Sequence, residues 1–332
     1  MKALRLLSVD QQVGLLFVTL FGLLVVASIA VGWIVNRRQH GDAGSRELLR
    51  DLRALWVGAL LFWLAWMSGP IGATLGFGLF SFLALREYIT LMHTRRGDHR
   101  SLMLAFFVVL PLQYAIAGGR HFDLLTVFIP VYVFLAIPVA SALAGDPERF
   151  LERNAKIQWG IMVCVYGLSH APALLLLEFS DYQGRGAFLV FFLVMVAAAA
   201  QFVQACASPW LRRRRLRARR RMRPRGPMLR VIDRSFSYPA WLAGALAGGL
   251  AGALLFWITP FKPLQAFVMG AIAGGAGTLG GLVMRALKKD AGVRWWGNTA
   301  SVTGAVGLLD RVAPLCFAAP MFFHSVRWYF SV

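Results

Sequence analysis

The sequence predicts an all-α fold, a polytopic integral membrane helix bundle of about ten transmembrane helices. Three observations predict it. The chain is 58% hydrophobic with a mean hydropathy of +0.62. Its apolar residues gather into ten runs of spanning length. Its basic residues fall almost entirely in alternate connections between those runs.

The first run, 12–35, is too long for the apolar core of a secretion signal. No small-residue cleavage site follows it, so it reads as a retained span. Runs 54–72 and 73–92 are separated only by Met67–Gly72, which leaves either two spans or one re-entrant hairpin. Runs 101–118 and 124–144 follow, then 157–177, where Ser-His-Ala-Pro at 169–172 places Pro172 to break a helix locally. His170 in that motif reads as a packing residue. Run 186–207 is rich in Phe, Leu and Val. Runs 239–259 and 264–287 are rich in Gly and Ala, small residues that let helix backbones approach closely and predict a tightly packed core. The last run, 304–328, carries Asp310 and Arg311 in an otherwise apolar stretch, Gly304–Pro320. Intramembrane charges at a helix centre cost about 2.5–3.5 kcal/mol each on insertion scales, so such a pair marks function.

Of 35 Lys and Arg, 27 lie in five alternate loops: 36–53, 93–100, 145–156, 208–238 and 285–303. The positive-inside rule then puts both termini outside and the basic loops in the cytoplasm. The net charge of +20 is mostly this topology signal. The densest run, Arg212–Arg225, is expected to attract anionic lipid headgroups. Nothing resembles a nucleic-acid-binding module, so nucleic acid is not an expected partner. Cys164, Cys206 and Cys316 are scattered in apolar segments, without metal spacing or a disulfide framework, and read as packing residues. Composition divides the chain into an N-terminal transmembrane bundle (1–207), a basic cytoplasmic loop (208–238) and a C-terminal transmembrane region (239–332). No internal repeat is evident, which weighs against an inverted-repeat transporter.

Glu87 and Asp310 are the two acids placed within spans. Asp233 and Asp290 share their cytoplasmic side on the predicted topology. A polar site there would be lined by Lys288, Lys289, Arg294 and Arg311, cations suited to phosphate oxygens. Residues 310 and 311 cannot face each other on a helix. A structural ionic network is the alternative, with Lys288 or Lys289 as partner for Asp310 and backbone for Arg311. Glu87 with Arg86, in the half further from this segment, reads as structural.

The stretch 288–330, KKDAGVRWWGNTASVTGAVGLLDRVAPLCFAAPMFFHSVRWYF, resembles the signature region of phosphatidate cytidylyltransferases, also called CDP-diacylglycerol synthases. LREYITLMHTRRGDHRSL, FIPVYVFLAIP, LAGDPERFLERNAKIQWGIMVCVYGLSHAPALLL and FKPLQAFVMG extend the likeness to a bacterial subgroup, over roughly residues 70–330. The resemblance implies transfer of a cytidylyl group from CTP to phosphatidate, giving CDP-diacylglycerol and pyrophosphate, with Mg²⁺ aligning the triphosphate. It implies Asp310 as metal ligand; Asp290 and Asp233 could help hold the metal only with a rearranged backbone. Asp310 and Arg311 would be the catalytic pair, and Lys288, Lys289 and Arg294 the phosphate-binding cations. Gly297, Gly304 and Gly307 match family glycines.

The departures are extensive. Trp295 stands for the Asp of the family's Lys-Asp, Ala305 for its His, Val306 for a Gly, Ala313 for the Asp after Asp-Arg, and Pro314 for the next Ser. FSYPAWLA (236–243) lacks the family's Lys and Glu, Gly280-Gly281 replaces Gly-Asp, and Ala200-Gln201 falls near Asn-Asp. Three readings follow: an active cytidylyltransferase, a degenerate member that binds lipid or nucleotide or regulates a partner, and a lipid-handling transporter. The sequence leaves homo-oligomerisation open, and with it the role of Trp295 and Trp296.

Overall fold

A computed structural model describes residues 8–37, 49, 52–53, 56–60, 63–65, 67–92, 94–178, 182, 184–218, 236–292 and 307–330. Its regular elements are helices, and no strand occurs among the described residues. The chain is an all-α polytopic membrane protein. Contacts divide it into two units, Met1–Ala73 and Thr74–Val332.

In the first unit, α1 spans Val9–Arg37. Its start is a capping box, with Ser8 N donating to Gln11 Oε1 (3.1 Å) and Gln11 N to Ser8 Oγ (3.3 Å). Helical residues at 56–60 and 63–65 pack on it through Trp56 Nε1–H donating to Ser28 Oγ (3.0 Å) and an edge-on Phe17–Trp63 contact. The second predicted span therefore lies partly outside the described residues.

Helix α2 runs Gly69–Leu91, so much of the Met67–Gly72 break is already helical. The second unit continues with α3 (Arg96–Gly118) and α4 (Phe122–Ala142). Next comes α5, formed by Phe150–Gly160, Ile161–Gly167 and Leu168–Leu175 in succession. Then follow α6 (Gly186–Ala218), α7 (Tyr238–Leu254), α8 (Pro263–Asp290) and α9 (Leu308–Phe330). Ser237 caps α7, its hydroxyl accepting from Ala240 N, with Pro239 in the first turn. Pro263 opens α8. Among the described residues, six helices are long and apolar enough to cross a membrane: α1, α2, α3, α4, α6 and α8. Large apolar side chains such as Leu75, Phe202 and Leu250 remain 60–70% exposed, as a lipid-facing surface requires.

Helices α3, α4 and α5 each carry a widened π-helical stretch, at Ala105–Val109, Phe128–Val133 and Ile161–Gly167. The last corrects an expectation. Pro172 does not break α5, which continues to Leu175. The widened turn just before it and the burial of Leu168–Leu174 hold the chain helical. His170 packs here, fully buried, with Nδ1 2.7 Å from the Tyr166 carbonyl and its ring edge-on to Phe323.

The Gly/Ala-rich helices pack as their composition predicts. A β-carbon on Gly248 would lie 2.9 Å from the Gly270 carbonyl and 3.3 Å from that of Val196, so α7 meets α8 and α6 nearly backbone to backbone. Packing thus joins the helices on either side of the basic loop. A second core draws on α2, α3, α4, α5, α8 and α9, including Leu85, Tyr88, Ile137, Ile161, Met284 and Leu309.

Polar contacts mark two ends of the second unit. One end joins Asp98 to Arg153, Tyr88 to Lys156 and Lys288 to Asp310. The other joins Arg120 to Glu178, Asp123 to Arg327 and Tyr182 to the Ile258 carbonyl. The first set lies at the ends adjoining the basic loops.

Candidate functional site

The site is the junction of α8 and α9. Helix α8 ends Lys288-Lys289-Asp290, two cations in its last turn where exposed carbonyls favour positive charge. Helix α9 begins at Leu308, and Asp310 lies in its first turn, where unpaired amides favour a carboxylate. Lys288 Nζ pairs with Asp310 Oδ1, linking the two helix ends. Lys288 is 13% exposed and Asp310 34%, so the pair is partly shielded from water.

This position corrects the placement of Asp310 within a span. Helix α9 starts at Leu308, so Asp310 is a first-turn residue and not a mid-membrane charge. Its presence is explained largely by the helix end and by Lys288.

Glu87 was the larger surprise. It is 4% exposed on α2, yet its carboxylate accepts from Leu308 N (3.0 Å) and Leu309 N (3.4 Å) at the start of α9. It therefore caps the helix that carries Asp310, from the opposite half of the sequence. Gly307, at φ +78°, turns the chain so that these amides reach Glu87. A side chain read as remote and structural is thus a neighbour of the candidate site. Only an intramembrane carboxylate near the end of its span signalled it.

Arg311, Lys289 and Asp290 are exposed. Arg294, Asp233, Trp295, Trp296, Gly297, Gly304 and Ala305 lie outside the described residues, as do the side chains of Arg212–Arg225. Magnesium requires several oxygen ligands in near-octahedral geometry. Asp310 is engaged by Lys288, and Glu87 by two amides. Among the described residues no three His, Cys, Asp or Glu side chains assemble into a metal-holding group. The described donor set does not fit a magnesium cage.

Two positions where the resemblance expects polar groups are packed shut. Ala313 is fully buried beside Leu309 and Cys316. Ala200, near the place of the family's Asn-Asp, is so closely packed that a β-carbon on Gly274 would lie 2.8 Å from its own β-carbon. Gly281 differs: a β-carbon there meets only Arg285 Nη1, at 3.6 Å.

A second ionic cluster lies at the same end. Arg153 Nε is 3.3 Å from Asp98 Oδ1, with side chains 5% and 2% exposed. Asp98 Oδ2 accepts from Arg95 N (2.8 Å), and Arg153 Nη2–H donates to the Asp146 carbonyl (2.7 Å). The Arg153 guanidinium also holds the Asp146 carboxyl below its ordinary range, aided by the Glu148 amide. Charge counting had assigned these residues to topology alone. Their pairing fastens the start of α3 to the start of α5 and the loop before it.

A family model described as the cytidylyltransferase family matches residues 49–204 and 240–329. An uncharacterized Escherichia coli (strain K12) protein, YnbB, is 34% identical over 312 residues, covering 93% of this chain and 97% of its own length.

Proposed function

This chain belongs to the cytidylyltransferase family, and we propose that it is a member that binds a phosphate-bearing ligand, lipid or nucleotide, without carrying out cytidylyl transfer. The observation that carries this reading is the Lys288–Asp310 pair. In it the retained acid neutralises a cation instead of joining other carboxylates around a metal. The burial of Ala313 supports the same reading, since an acid there would sit in a packed apolar core. Lys288, Lys289, Arg294 and Arg311 supply the phosphate-directed charge. The basic loops, Arg212–Arg225 among them, face the cytoplasm and its anionic headgroups.

The family reaction, CTP plus phosphatidate to CDP-diacylglycerol and pyrophosphate with Mg²⁺, is the second reading. The retained Lys288-Lys289 and Asp310-Arg311 favour it.

The two readings give Asp310→Asn opposite effects on binding. If Asp310 only competes with phosphate for Lys288, removing its charge tightens the binding of CTP or phosphatidate to purified protein. If it holds a metal, the same change weakens Mg²⁺-dependent CTP binding. Saturable binding lost in Lys288→Ala/Lys289→Ala supports the proposal. Binding that ignores both lysines sinks it.

A further inference from the structure

We propose that Tyr166, His170 and His324 form a binding site for an imidazole-preferring divalent cation, such as Zn²⁺, where α5 meets α9. The three side chains meet pairwise. The His170 and His324 ring centroids lie 5.2 Å apart, and those of Tyr166 and His170 4.5 Å apart. The Tyr166 hydroxyl oxygen is 3.3 Å from His324 Nε2. Two imidazoles suit such an ion, whereas magnesium takes oxygen ligands. The site shares no residue with the junction of Lys288 and Asp310.

A bare nitrogen carries the assignment. His170 Nδ1 lies 2.7 Å from the Tyr166 carbonyl. A carbonyl only accepts, so Nδ1 bears the proton and Nε2 of the neutral ring is an acceptor. That Nε2 is buried, in a fully buried side chain, and has no hydrogen-bond partner. An unmade acceptor in a packed interior is costly, and a Lewis acid satisfies it as a donor proton would. Metal-ligating histidines are held in this way, one ring N–H on a backbone carbonyl and the other nitrogen free. The Tyr166–His324 contact has matching geometry. At 3.3 Å it is longer than the roughly 2.7–3.2 Å of an ordinary N–H···O bond. Two donor atoms about 2.0–2.1 Å from one tetrahedral ion lie about 3.3 Å apart, and two imidazole rings on it hold their centroids about 5 Å apart.

The chain builds this site locally. Tyr166 and His170 are one turn apart on α5. Tyr166 belongs to the widened stretch Ile161–Gly167, and such turns are frequent at functional sites. Gly167 brings α9 close, because a β-carbon there would collide with the Cys316 carbonyl. Phe323 covers the apolar side, its ring edge-on to His170. Tyr166 and His324 are only partly buried, which gives an ion a path of entry. Arg327, one turn beyond His324, pairs with Asp123 (2.8 Å) and lies over the Phe122 and Phe323 rings, so its charge is offset. Three protein donors leave the fourth tetrahedral position to water. The ion would clip α9 to α5.

The test titrates Zn²⁺ into full-length, tag-free protein in detergent, stripped of metal beforehand, and reads binding by calorimetry. One equivalent should bind, and X-ray absorption at the zinc edge should show nitrogen and oxygen ligands alone, at about 2.0 Å. His324→Ala, at a partly buried position, and His170→Gln should each weaken binding at least about tenfold, and Tyr166→Phe by about tenfold. His99→Ala and His121→Ala, at exposed histidines, should bind as the parent does. Saturating Zn²⁺ should raise the melting temperature of the parent. His324→Ala should melt near the metal-free parent and lose that rise, which separates loss of the ion from loss of the fold. Absence of saturable Zn²⁺ binding to the parent would overturn the proposal and leave His170 Nε2 to a buried water. Binding unchanged in His324→Ala and His170→Gln, or sulfur in the zinc shell, would overturn it in favour of a site elsewhere.

Discussion

Glu87→Ala should destabilise the protein by about 2–4 kcal/mol. Two α9 amides end on this carboxylate, at 3.0 and 3.4 Å, in a position 4% exposed. The shorter bond is a full charge-assisted contact, worth about 1.5–3 kcal/mol. The longer one adds less, and losing a helix cap typically costs about 0.5–2 kcal/mol. The two estimates overlap because they describe the same bonds, which sets the range. Glu87→Gln keeps an oxygen for one amide and loses only the charge at the positive helix end, so it should cost about 1–2 kcal/mol. Tryptophan fluorescence melts in detergent would read Glu87→Ala as a fall of roughly 3–6 °C. Hydrogen exchange adds a local readout: amides at 308–310 should lose protection in both variants, more in the alanine. A melt for Glu87→Ala unchanged within about 1 °C, with the α9 amides still protected, would refute the capping account.

Four further substitutions have expected outcomes. Gly307→Ala forces a side chain into a φ of +78° and should cost about 1–2 kcal/mol, also loosening the α9 start seen by hydrogen exchange. Ala313→Asp, which restores a family acid at a fully buried position, should cost roughly 3 kcal/mol or more. Gly281→Asp, with only Arg285 nearby, should cost about 1 kcal/mol, and paired thermal melts would rank the two. Because Arg153 depresses the Asp146 carboxyl, this contact stabilises the fold at pH above the ordinary 3.8 and is lost as pH falls through the lowered value. Asp146→Asn should therefore melt lower at neutral pH and show a flatter loss of stability below pH 3.8 than the parent.

The fold class was legible because lipid imposes long apolar helices. The start of α9 was not. Residues 304–307 are apolar enough to extend a span by composition, but hydropathy carries no information on where a helix begins. Pro172 misled for a related reason, since a buried helix with a widened preceding turn tolerates the lost donor. At the site, the Lys288–Asp310 pairing followed from two basic residues ending one helix and an acid near the next. The reach of Glu87 to Leu308 did not, because no local pattern encodes a contact between helices that far apart in sequence. Asp98 and Arg153 were hidden differently. Loop charges read as topology until burial shows that two of them face each other.

The central claim is that Asp310 neutralises Lys288 and takes no part in cytidylyl transfer. Its most direct measurement incubates purified full-length protein with labelled CTP, phosphatidate and Mg²⁺, beside Asp310→Asn. The account predicts no CDP-diacylglycerol above the protein-free control from either protein. Product formed by the parent chain and abolished by Asp310→Asn would contradict it.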